Sequence, residues 1–580
     1  MPQKNNTLPI VPHGLPLLIG ITGHRDLVRD DIPELKQRLH ALLNWLQERY
    51  PDTPLMLMSA LAEGADRLAA EVALEMGIPL IAPLPMSAEL YEQDFSQESV
   101  TAFRNLLAQA AFSYVSNSEY TSTPDATFIP RDLLYQTVGR SIVQYSQILI
   151  ALWDGTANGK LGGTADVVRL MLDGDDGDLC GEQIQPGTVF HLPVRRMGEI
   201  SNHSSGQLLE TYKVDEIMPG VHLLCPLSVE GASRQGEQQR ILDCIQRYNL
   251  DRSQLSTEWH DYGVTQTTSS ANLYRTKGVT LNPAHQYLCK QYSHADTLAQ
   301  HFQKETYEVV YLLACLVPFI VVFFETYSNV STAPAVIAGY LGSIILAYGI
   351  FRLARKHKLD DKYLDYRALA EGLRVSFYWR LAGINESPAA YYLNRQQSEL
   401  DWIRYATRTI ELLAFKGQHA ALPSADVRQS IRTCWIDDQI SYFATTSRKQ
   451  KENSEQLELL ATCFFRLGLF VVTPVMLLIH GLKWGGELLD PWLQVATPFC
   501  FIIAGAIEFY ADRRLFGEQA KQYVRMFTIF SKGTRHLDQL SVNDLPGFQK
   551  VIQRLGQEAL AENGDWLLMH RERPIEVPQG

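Results

Sequence analysis

A glycine-rich loop after a predicted buried strand is the stretch of this sequence best suited to bind an anion. The strand covers residues 148–152, and four glycines follow it before a predicted helix that begins at Thr164. Glycine lets the backbone approach a phosphate without a Cβ in the way, and a helix N-terminus offers free N–H groups and the positive end of the helix dipole. The residues of this loop predicted to contact phosphate are Gly155, Lys160, Gly162, Gly163 and Thr164.

Two further polar loops follow predicted strands nearer the N-terminus. Residues 22–26 (TGHRD) and 59–66 (SALAEGAD) each come directly after a short apolar run. An arginine in such a loop can clamp a phosphate with two N–H donors, and an aspartate can accept hydrogen bonds from ribose hydroxyls. The other candidate ligand-binding residues are therefore Thr22, Gly23, His24, Arg25, Ser59, Glu63, Gly64, Asp66, Asp154 and Asp166.

Each of these side chains also has a structural explanation that needs no ligand. An aspartate in the first turn of a helix, such as Asp166, stabilises the helix dipole by itself. His24 and Arg25 could form surface salt bridges, and Asp66 could cap its own helix. Glu63 is the expected acid if the site hydrolyses its ligand, although we predict no catalytic residue.

The order of the predicted elements indicates the fold that would bring these loops together. Strands alternate with helices through the first third of the chain, which predicts an α/β domain over residues 14–200. We expect a Rossmann-like, doubly wound parallel sheet, with ligands bound at the carboxyl ends of its strands. The predicted strands are residues 17–21, 55–58, 78–83, 148–152 and 189–194, and the predicted helices are residues 32–50, 65–76 and one that starts at 164.

Length, charge and motif departures argue against several other functions. The 580 residues suffice for two or more domains, and a net charge of −12 argues against a general nucleic-acid binder. The eight cysteines form no C-x-x-C pair. Residues 155–160 (GTANGK) are one residue short of a Walker A loop, and the acidic loop at 173–178 lacks the glycine of an EF-hand. We predict no metal site and no cofactor.

The second half of the sequence contains four apolar segments of about twenty residues, the length of helix that crosses a bilayer. They predict an all-α membrane domain of four transmembrane helices with long cytosolic helices. Residues 201–295 are interpreted as a connector or insertion. The predicted spans are residues 309–325 and 333–352 within 296–452, and residues 460–482 and 492–510 within 453–580.

Charged residues near these segments predict their orientation. Basic residues cluster before the third span and after the second and fourth, whereas the hairpin turns contain only Lys483. By the positive-inside rule, both termini and the segment between the hairpins are expected in the cytosol. Arg466 and Glu508 lie within predicted spans, where a charge is costly. They are expected either to line a pore or pair with each other, or to extend to the membrane interface.

The three loop motifs resemble those of the SLOG superfamily, which includes LOG phosphoribohydrolases, DprA DNA-processing proteins and nucleotide-sensing domains of bacterial defence systems. Residues 59–73 are similar to the second-strand motif, residues 161–168 to the later phosphate loop, and residues 22–25 to the first loop. LOG hydrolases carry a catalytic glutamate at the position of Val167 and an arginine near that of Val138. The resemblance therefore implies a nucleotide pocket without the hydrolytic pair.

A hairpin of two spans followed by a helix rich in Arg, Glu and aromatic residues, as at 361–383, resembles the SLATT effector family. The two resemblances together imply a multi-pass protein of the bacterial plasma membrane that acts in anti-phage immunity. Its cytosolic domain would sense a nucleotide-derived second messenger, ADP-ribose-like or a cyclic nucleotide, and its helices would form a homo-oligomeric pore in the lipid bilayer. The alternatives are a membrane-anchored LOG-type hydrolase or N-glycosidase and a nucleotide-regulated channel outside immunity.

Overall fold

A computed structural model gives the architecture of most of the chain. It describes residues 14–116, 130–156, 159–175, 184–197, 212–226, 231–262, 273, 281–392, 400–415, 417–482, 486–541 and 543–573. The described residues divide into two compact units. The first contains the described residues within 1–265, 280–291 and 385–421, and the second contains those within 266–279, 292–384 and 422–580.

An eight-stranded sheet forms the centre of the first unit. Its strands are β1 (Leu17–Gly23), β2 (Leu55–Met58), β3 (Leu80–Leu84), β4 (Phe112–Val115), β5 (Ile148–Trp153), β6 (Thr188–Pro193), β7 (Tyr212–Met218) and β8 (Val221–Pro226). The strand order is β4-β3-β2-β1-β5-β6-β8-β7. All pairings from β4 to β6 are parallel, and β8 joins β6 in the antiparallel sense. This confirms the predicted α/β class.

The hairpin of β7 and β8 adds an edge that the sequence patterns did not predict. Both strands lie in the range interpreted as a connector, and they pair with each other in the antiparallel sense. The sheet is therefore parallel over six strands and antiparallel only at this edge. Antiparallel edge strands are common on otherwise parallel sheets.

Helices cover both faces of this sheet. They are α1 (Ile32–Arg49), α2 (Ala65–Glu75), α3 (Ala88–Tyr91), α4 (Gln97–Gln109), α5 (Arg131–Tyr145), α6 (Thr164–Asp173) and α7 (Gly231–Tyr262). Alternate residues of β5 point to opposite faces: Ile150 joins the core packed against α1 and α2, whereas Leu149 joins the core packed against α5 and α6. A strand buried on both faces needs the continuous apolar run seen in this sequence.

The strand order reverses between β1 and β5. In their register, Ile21 is opposite Ile150 and Gly23 is opposite Leu152, so the two strands end at the same level. The helices that follow these strands, α1 and α6, contribute to the cores on opposite faces. This is a topological switch point, where the loops diverge and leave a crevice at the carboxyl ends of the strands.

Ten helices form the described remainder of the chain. They are α8 (Pro283–Asn329), α9 (Pro334–His357), α10 (Leu359–Leu381), α11 (Asp401–Phe415), α12 (Ala425–Ile431), α13 (Asp438–Leu467), α14 (Thr473–Leu482), α15 (Gly486–Arg514), α16 (Phe516–Gln539) and α17 (Leu545–Arg571). Two π-helical turns, Arg432–Asp437 and Gly468–Val472, connect α12 through α14 into one long helix.

Helix α11 belongs to the first unit although it lies between the two predicted hairpins in sequence. It is buried along its described length. The Gln147 Nε2 atom donates to Thr409 Oγ1 at 3.4 Å, and the rings of Tyr248 and Trp402 lie 6.0 Å apart. The described residues of α11 therefore pack against the α/β unit.

Within the described part of the chain, four helices are long and apolar enough to cross a membrane: Pro283–Asn329, Pro334–Leu381, Ala425–Gly481 and Pro491–Gln539. No more than 22% of each apolar window is buried within the chain. Large side chains such as Ile345 and Phe470 are 70% and 69% exposed. Apolar surface of this extent is not stable in water, so these helices fit a membrane region.

The second and fourth of these helices are interrupted in the same way. Lys358, between α9 and α10, has a φ of 49°, and Leu515, between α15 and α16, has a φ of 52°. A residue with a side chain rarely adopts this left-handed conformation, and it cannot continue an α-helix. In these two helices, a single residue therefore separates the apolar segment from the more polar helix that follows it.

Candidate functional site

A cleft of about 470 Å³ opens at the carboxyl ends of β1 and β5. The loop after β1, the start of α2, one side of α5 and the glycine loop before α6 form its walls. It occupies the switch point of the sheet, where nucleotides bind in doubly wound folds. The predicted ligand-binding residues that line it are Thr22, Gly23, His24, Arg25, Asp66, Lys160, Gly162, Gly163 and Thr164.

Close backbone packing positions the loop after β1. A Cβ atom on Gly23 would lie 2.3 Å from the Cβ of Ala65 and 2.7 Å from the carbonyl oxygen of Leu152. The backbone N–H of His24 donates to that same carbonyl at 3.0 Å. Glycine is required at position 23 because the strand leaves the sheet between α2 and β5 with no space for a side chain.

Arg25 provides a fixed positive charge at the cleft. Its guanidinium carbon lies 5.0 Å from the centre of the Tyr135 ring. Partial burial works against the charged form, but a hydrogen bond with Tyr135 and the nearby Asp66 carboxylate raise the pKa of Arg25 above its ordinary value. A guanidinium held against an aromatic face in this way is well placed for phosphate recognition.

Asp66 is a buried carboxyl group in the wall of the cleft and is 7% exposed. Burial raises its pKa to about 7, against a backbone hydrogen bond from Ala62 and the attraction of Arg25 and Arg67. Removal from water disfavours the charged form of a carboxyl group. Asp66 therefore changes its charge near neutral pH, and it can donate or accept a hydrogen bond there.

The other predicted residues of the second loop do not line the cleft. Ser59 is fully buried; its Oγ donates to the carbonyl oxygen of Asp66 at 3.0 Å and accepts from Leu61 N–H at 3.1 Å. A Cβ atom on Gly64, whose φ is 79°, would lie 2.4 Å from the carbonyl oxygen of His24. Ser59 and Gly64 thus hold the first two loops together, and Glu63 lies outside the lining.

The glycine loop is held against α5. A Cβ atom on Gly162, whose φ is 69°, would lie 2.4 Å from the backbone nitrogen of Gln136. The Asp166 Oδ2 atom accepts a hydrogen bond from the Gly162 N–H at 3.0 Å, and its other oxygen pairs with Arg169 at 3.1 Å. Asp166 therefore closes the loop onto the start of α6, and it does not line the cleft.

Asp154 also shapes a loop. Its Oδ1 accepts hydrogen bonds from the backbone N–H and the hydroxyl of Thr156 at 2.9 and 2.8 Å, and it lies 3.0 Å from His24 Nε2. Burial opposes the charged form, but these hydrogen bonds lower the pKa of Asp154 below its ordinary value. Neither Asp154 nor Gly155 lines the cleft. Asp154 fixes the orientation of His24, which does.

Several polar residues that sequence reasoning missed line the cleft, and two of them, Tyr91 and Arg196, bear on its chemistry. Tyr91 is fully buried, and its hydroxyl group has no hydrogen-bond partner within the described part of the chain. Arg196 Nε lies 3.1 Å from both carboxylate oxygens of Asp26, and its Nη1 lies 3.8 Å from Asp154 Oδ2. Both residues follow parallel strands, β3 and β6, and that position is the signal that could have identified them.

Valines occupy the two positions at which LOG hydrolases carry their catalytic pair. Val138 and Val167 are buried and line the cleft. Arg140, two residues along α5, forms an ion pair with Asp175 and does not line the cleft. The interior wall at these positions is therefore apolar.

The remaining predicted sites concern metals and membrane charges. Among the described residues, no group of three or more His, Cys, Asp or Glu side chains is placed to hold a metal ion. Residues 157–158 of the Walker-like loop and 176–178 of the acidic loop lie outside the described residues. Arg466, in α13, and Glu508, in α15, are both exposed, and no ion pair joins these two described side chains.

Comparisons with known proteins give no family for this chain. No family model, no curated protein and no solved structure matches this chain.

Proposed function

We propose that the cleft at the switch point binds a nucleotide-derived second messenger, an ADP-ribose-like molecule or a cyclic nucleotide. The observation that carries this proposal is the convergence in one 470 Å³ cleft of a helix N-terminus, a basic clamp and an unpartnered hydroxyl group. A volume of this size accommodates a nucleotide. The ligand would be recognised through its phosphates and one further polar group.

The phosphates are assigned to the glycine loop and its neighbours. The first turn of α6 begins at Thr164, directly after Gly162 and Gly163 in the lining. Arg25, Lys160 and Arg196 bring basic groups to the same cleft. A helix N-terminus together with guanidinium donors is a common arrangement for binding a pyrophosphate.

Sensing is preferred to hydrolysis because of the apolar wall. A LOG-type reaction requires a glutamate and an arginine, but Val167 and Val138 stand at those two positions in the cleft. The buried hydroxyl group of Tyr91 is suited to bind a ligand oxygen, because an unpartnered buried donor gains a hydrogen bond when the ligand enters. Retention of an intact ligand is therefore the expected activity of the cleft.

The four apolar helices support a membrane-embedded effector, in line with the SLATT resemblance. Their exposed side chains require lipid or further copies of the chain around them. In the proposed mechanism, ligand binding shifts a homo-oligomer in the bacterial plasma membrane to a leaky state during anti-phage defence. The ligand must bind the leaky arrangement more tightly than the closed one, since otherwise it shifts no population.

Mass spectrometry on the full-length protein tests the proposal. The chain in lipid nanodiscs is incubated with ADP-ribose, its cyclic derivatives and cyclic dinucleotides, then washed and denatured, and the released compounds are identified. We expect one compound to be released intact, and potassium to leave vesicles containing the protein when that compound is added. Binding without efflux would reject the pore, and a panel in which nothing is retained or cleaved would reject the messenger classes proposed.

A LOG-type hydrolase is the second candidate, and Asp66 is the observation that favours it. Its pKa of about 7 suits a general acid or base that works near neutral pH. The same mass spectrometry distinguishes the two functions, because hydrolysis would release a free base and a ribose phosphate. Loss of that cleavage on Asp66→Asn would then identify the acid.

A further inference from the structure

A second cavity lies in the helical unit, far along the chain from the nucleotide cleft. It has a volume of about 270 Å³ and is enclosed by α8, α10, α13, α15, α16 and α17. Its lining is dominated by charged and hydroxyl-bearing side chains, an unusual choice for the interior of a helical bundle. The lining residues used below are Arg367, Glu371, Arg374, Arg514, Tyr523 and Glu562.

Positive charge exceeds negative charge around this cavity. Three arginines and two glutamates line the cavity. One of the glutamates, Glu371, forms an ion pair with Arg374. Burial, together with the nearby Glu371, raises the pKa of Glu562 to about 8. Arg367 has a second carboxylate nearby, because Asp296 Oδ1 lies 3.8 Å from its Nη1 just outside the lining. With Glu371 and Asp296 ionised and Glu562 protonated, three guanidinium groups are balanced by two carboxylates. The remaining positive charge favours an anion as the occupant of the cavity.

The arginines also retain unused donors. The Nε atoms of Arg374 and Arg514 are buried and have no hydrogen-bond partner within the described residues. Arg367 Nη1 is 3.8 Å from Asp296 Oδ1, too far for a hydrogen bond. Arg514 is held in place, since its guanidinium carbon lies 3.7 Å from the centre of the Tyr307 ring and its Nη1 donates to Tyr510 at 2.9 Å.

Hydroxyl and amide groups complete the lining. Tyr523 and Tyr442 face the cavity with their rings 5.9 Å apart, and Gln439, which is buried, faces it as well. Guanidinium forks, tyrosine hydroxyls and amides are the donors that coordinate phosphate oxygens in proteins. A chloride ion would use few of these donors, whereas a phosphate group would use several.

The position of the cavity links it to the apolar helices. Tyr307 lies just before the first predicted span, and Arg514 lies just after the fourth. Tyr363 and Gln450 are about ten residues from the second and third spans along the sequence. An occupant would therefore contact the polar extensions of all four apolar helices at once.

We propose that this cavity is a binding site for a phosphate-bearing anion, distinct from the nucleotide cleft, and that its occupant stabilises one arrangement of the four helices. Two sources fit this chemistry: a soluble phosphate compound, or the headgroup of an anionic lipid from the adjacent bilayer. Differential affinity for that arrangement would make the site a regulator of the membrane region.

Thermal unfolding of the full-length chain in nanodiscs tests the site. Pyrophosphate is the soluble probe, in phosphatidylcholine discs at constant ionic strength, and phosphatidylglycerol in the discs is the lipid probe. All proteins carry Arg25→Gln, so that pyrophosphate binding in the nucleotide cleft is weakened and a failure of the proposed function leaves this test unaffected. A rise in the unfolding midpoint is expected with one of the two probes, and the probe that causes it identifies the source.

Variants then assign the effect to the cavity. Arg367→Gln should weaken the apparent affinity about tenfold or more, because it removes a charged fork. Tyr523→Phe keeps the ring and removes only a hydroxyl, so it carries the test if Arg367→Gln does not fold. Arg448→Gln, at an exposed position of α13, is the control and should keep the full response. The proposal is overturned if neither probe raises the midpoint, if both cavity variants respond fully, or if the control loses the response as well.

Discussion

Gly162 approaches Gln136 so closely that a Cβ atom on the glycine would lie 2.4 Å from the glutamine backbone nitrogen. This contact fixes the glycine loop against α5 and so defines one wall of the nucleotide cleft. Gly159, three residues earlier, has a similar φ of 65°, but a Cβ atom there would have no described atom within 4 Å. Both glycines therefore adopt a left-handed backbone, but only Gly162 also lacks the space for a side chain.

Gly162→Ala should destabilise the α/β unit and abolish ligand retention. The left-handed backbone costs about 1 kcal/mol for alanine, and the overlap with α5 adds about 1–3 kcal/mol. Gly159→Ala carries only the first cost and should retain the ligand. Unfolding midpoints and retained ligand are measured on the two variants in parallel. Equal behaviour of the two variants would contradict the packing argument.

Arg25→Gln should reduce nucleotide affinity about tenfold to a hundredfold, because the charged fork contributes about 1.5–3 kcal/mol to a phosphate contact. Arg29→Gln is the matched control, since Arg29 is exposed and does not line the cleft. Isothermal titration of the full-length protein with the retained compound gives both dissociation constants. An unchanged dissociation constant for Arg25→Gln would show that Arg25 does not bind the phosphates of the ligand.

Ligand affinity should rise as the pH falls from 8 to 6. Asp66, with a pKa of about 7, takes up a proton over this range and stops repelling the phosphates. ADP-ribose is a suitable probe because its pyrophosphate charge is constant in the same window. Asp66→Asn should give an affinity that is independent of pH and close to the value of the original protein at pH 6. If the affinity of Asp66→Asn still depends on pH, then another group causes the pH dependence.

Glu562→Gln should stabilise the helical unit at alkaline pH and have little effect in acid. The folded-state pKa of about 8 lies above the unfolded value of 4.5, so the glutamate reduces stability as the pH rises through this interval. The unfolding midpoint of the variant should therefore exceed that of the original protein by several degrees at pH 8.5 and match it near pH 4.5. Glu558→Gln, exposed on the same helix, should leave the pH profile unchanged. A constant difference at every pH would argue against a buried neutral carboxyl group.

Ile345→Asp should impair membrane insertion. Ile345 is 70% exposed in α9, and an aspartate at the centre of a spanning helix costs about 3 kcal/mol or more on insertion scales. The fraction of protein that resists alkaline carbonate extraction should fall. Lys304→Asp, at an exposed site before the first apolar segment, is the control. Equal extraction of both variants would indicate that α9 does not contact lipid.

Local patterns determined much of the architecture. The strands at β1, β2 and β5 and the helices that follow were predictable because their apolar runs and glycine turns depend on neighbouring residues alone. The four apolar helices followed from length and composition in the same way. The glycine loop, Arg25 and Asp66 were placed at the cleft because parallel strands end at one edge of a sheet.

Tertiary structure decided which of the polar residues face the cleft. Asp154 and Asp166 satisfy backbone N–H groups of their own loops, whereas Tyr91 reaches the cleft from a helix that carries no motif. The hairpin of β7 and β8 and the helix α11 join the α/β unit through contacts between residues far apart in sequence. No local pattern encodes such contacts, because their stability comes from apolar surface buried between distant segments and not from the propensities of the segments themselves.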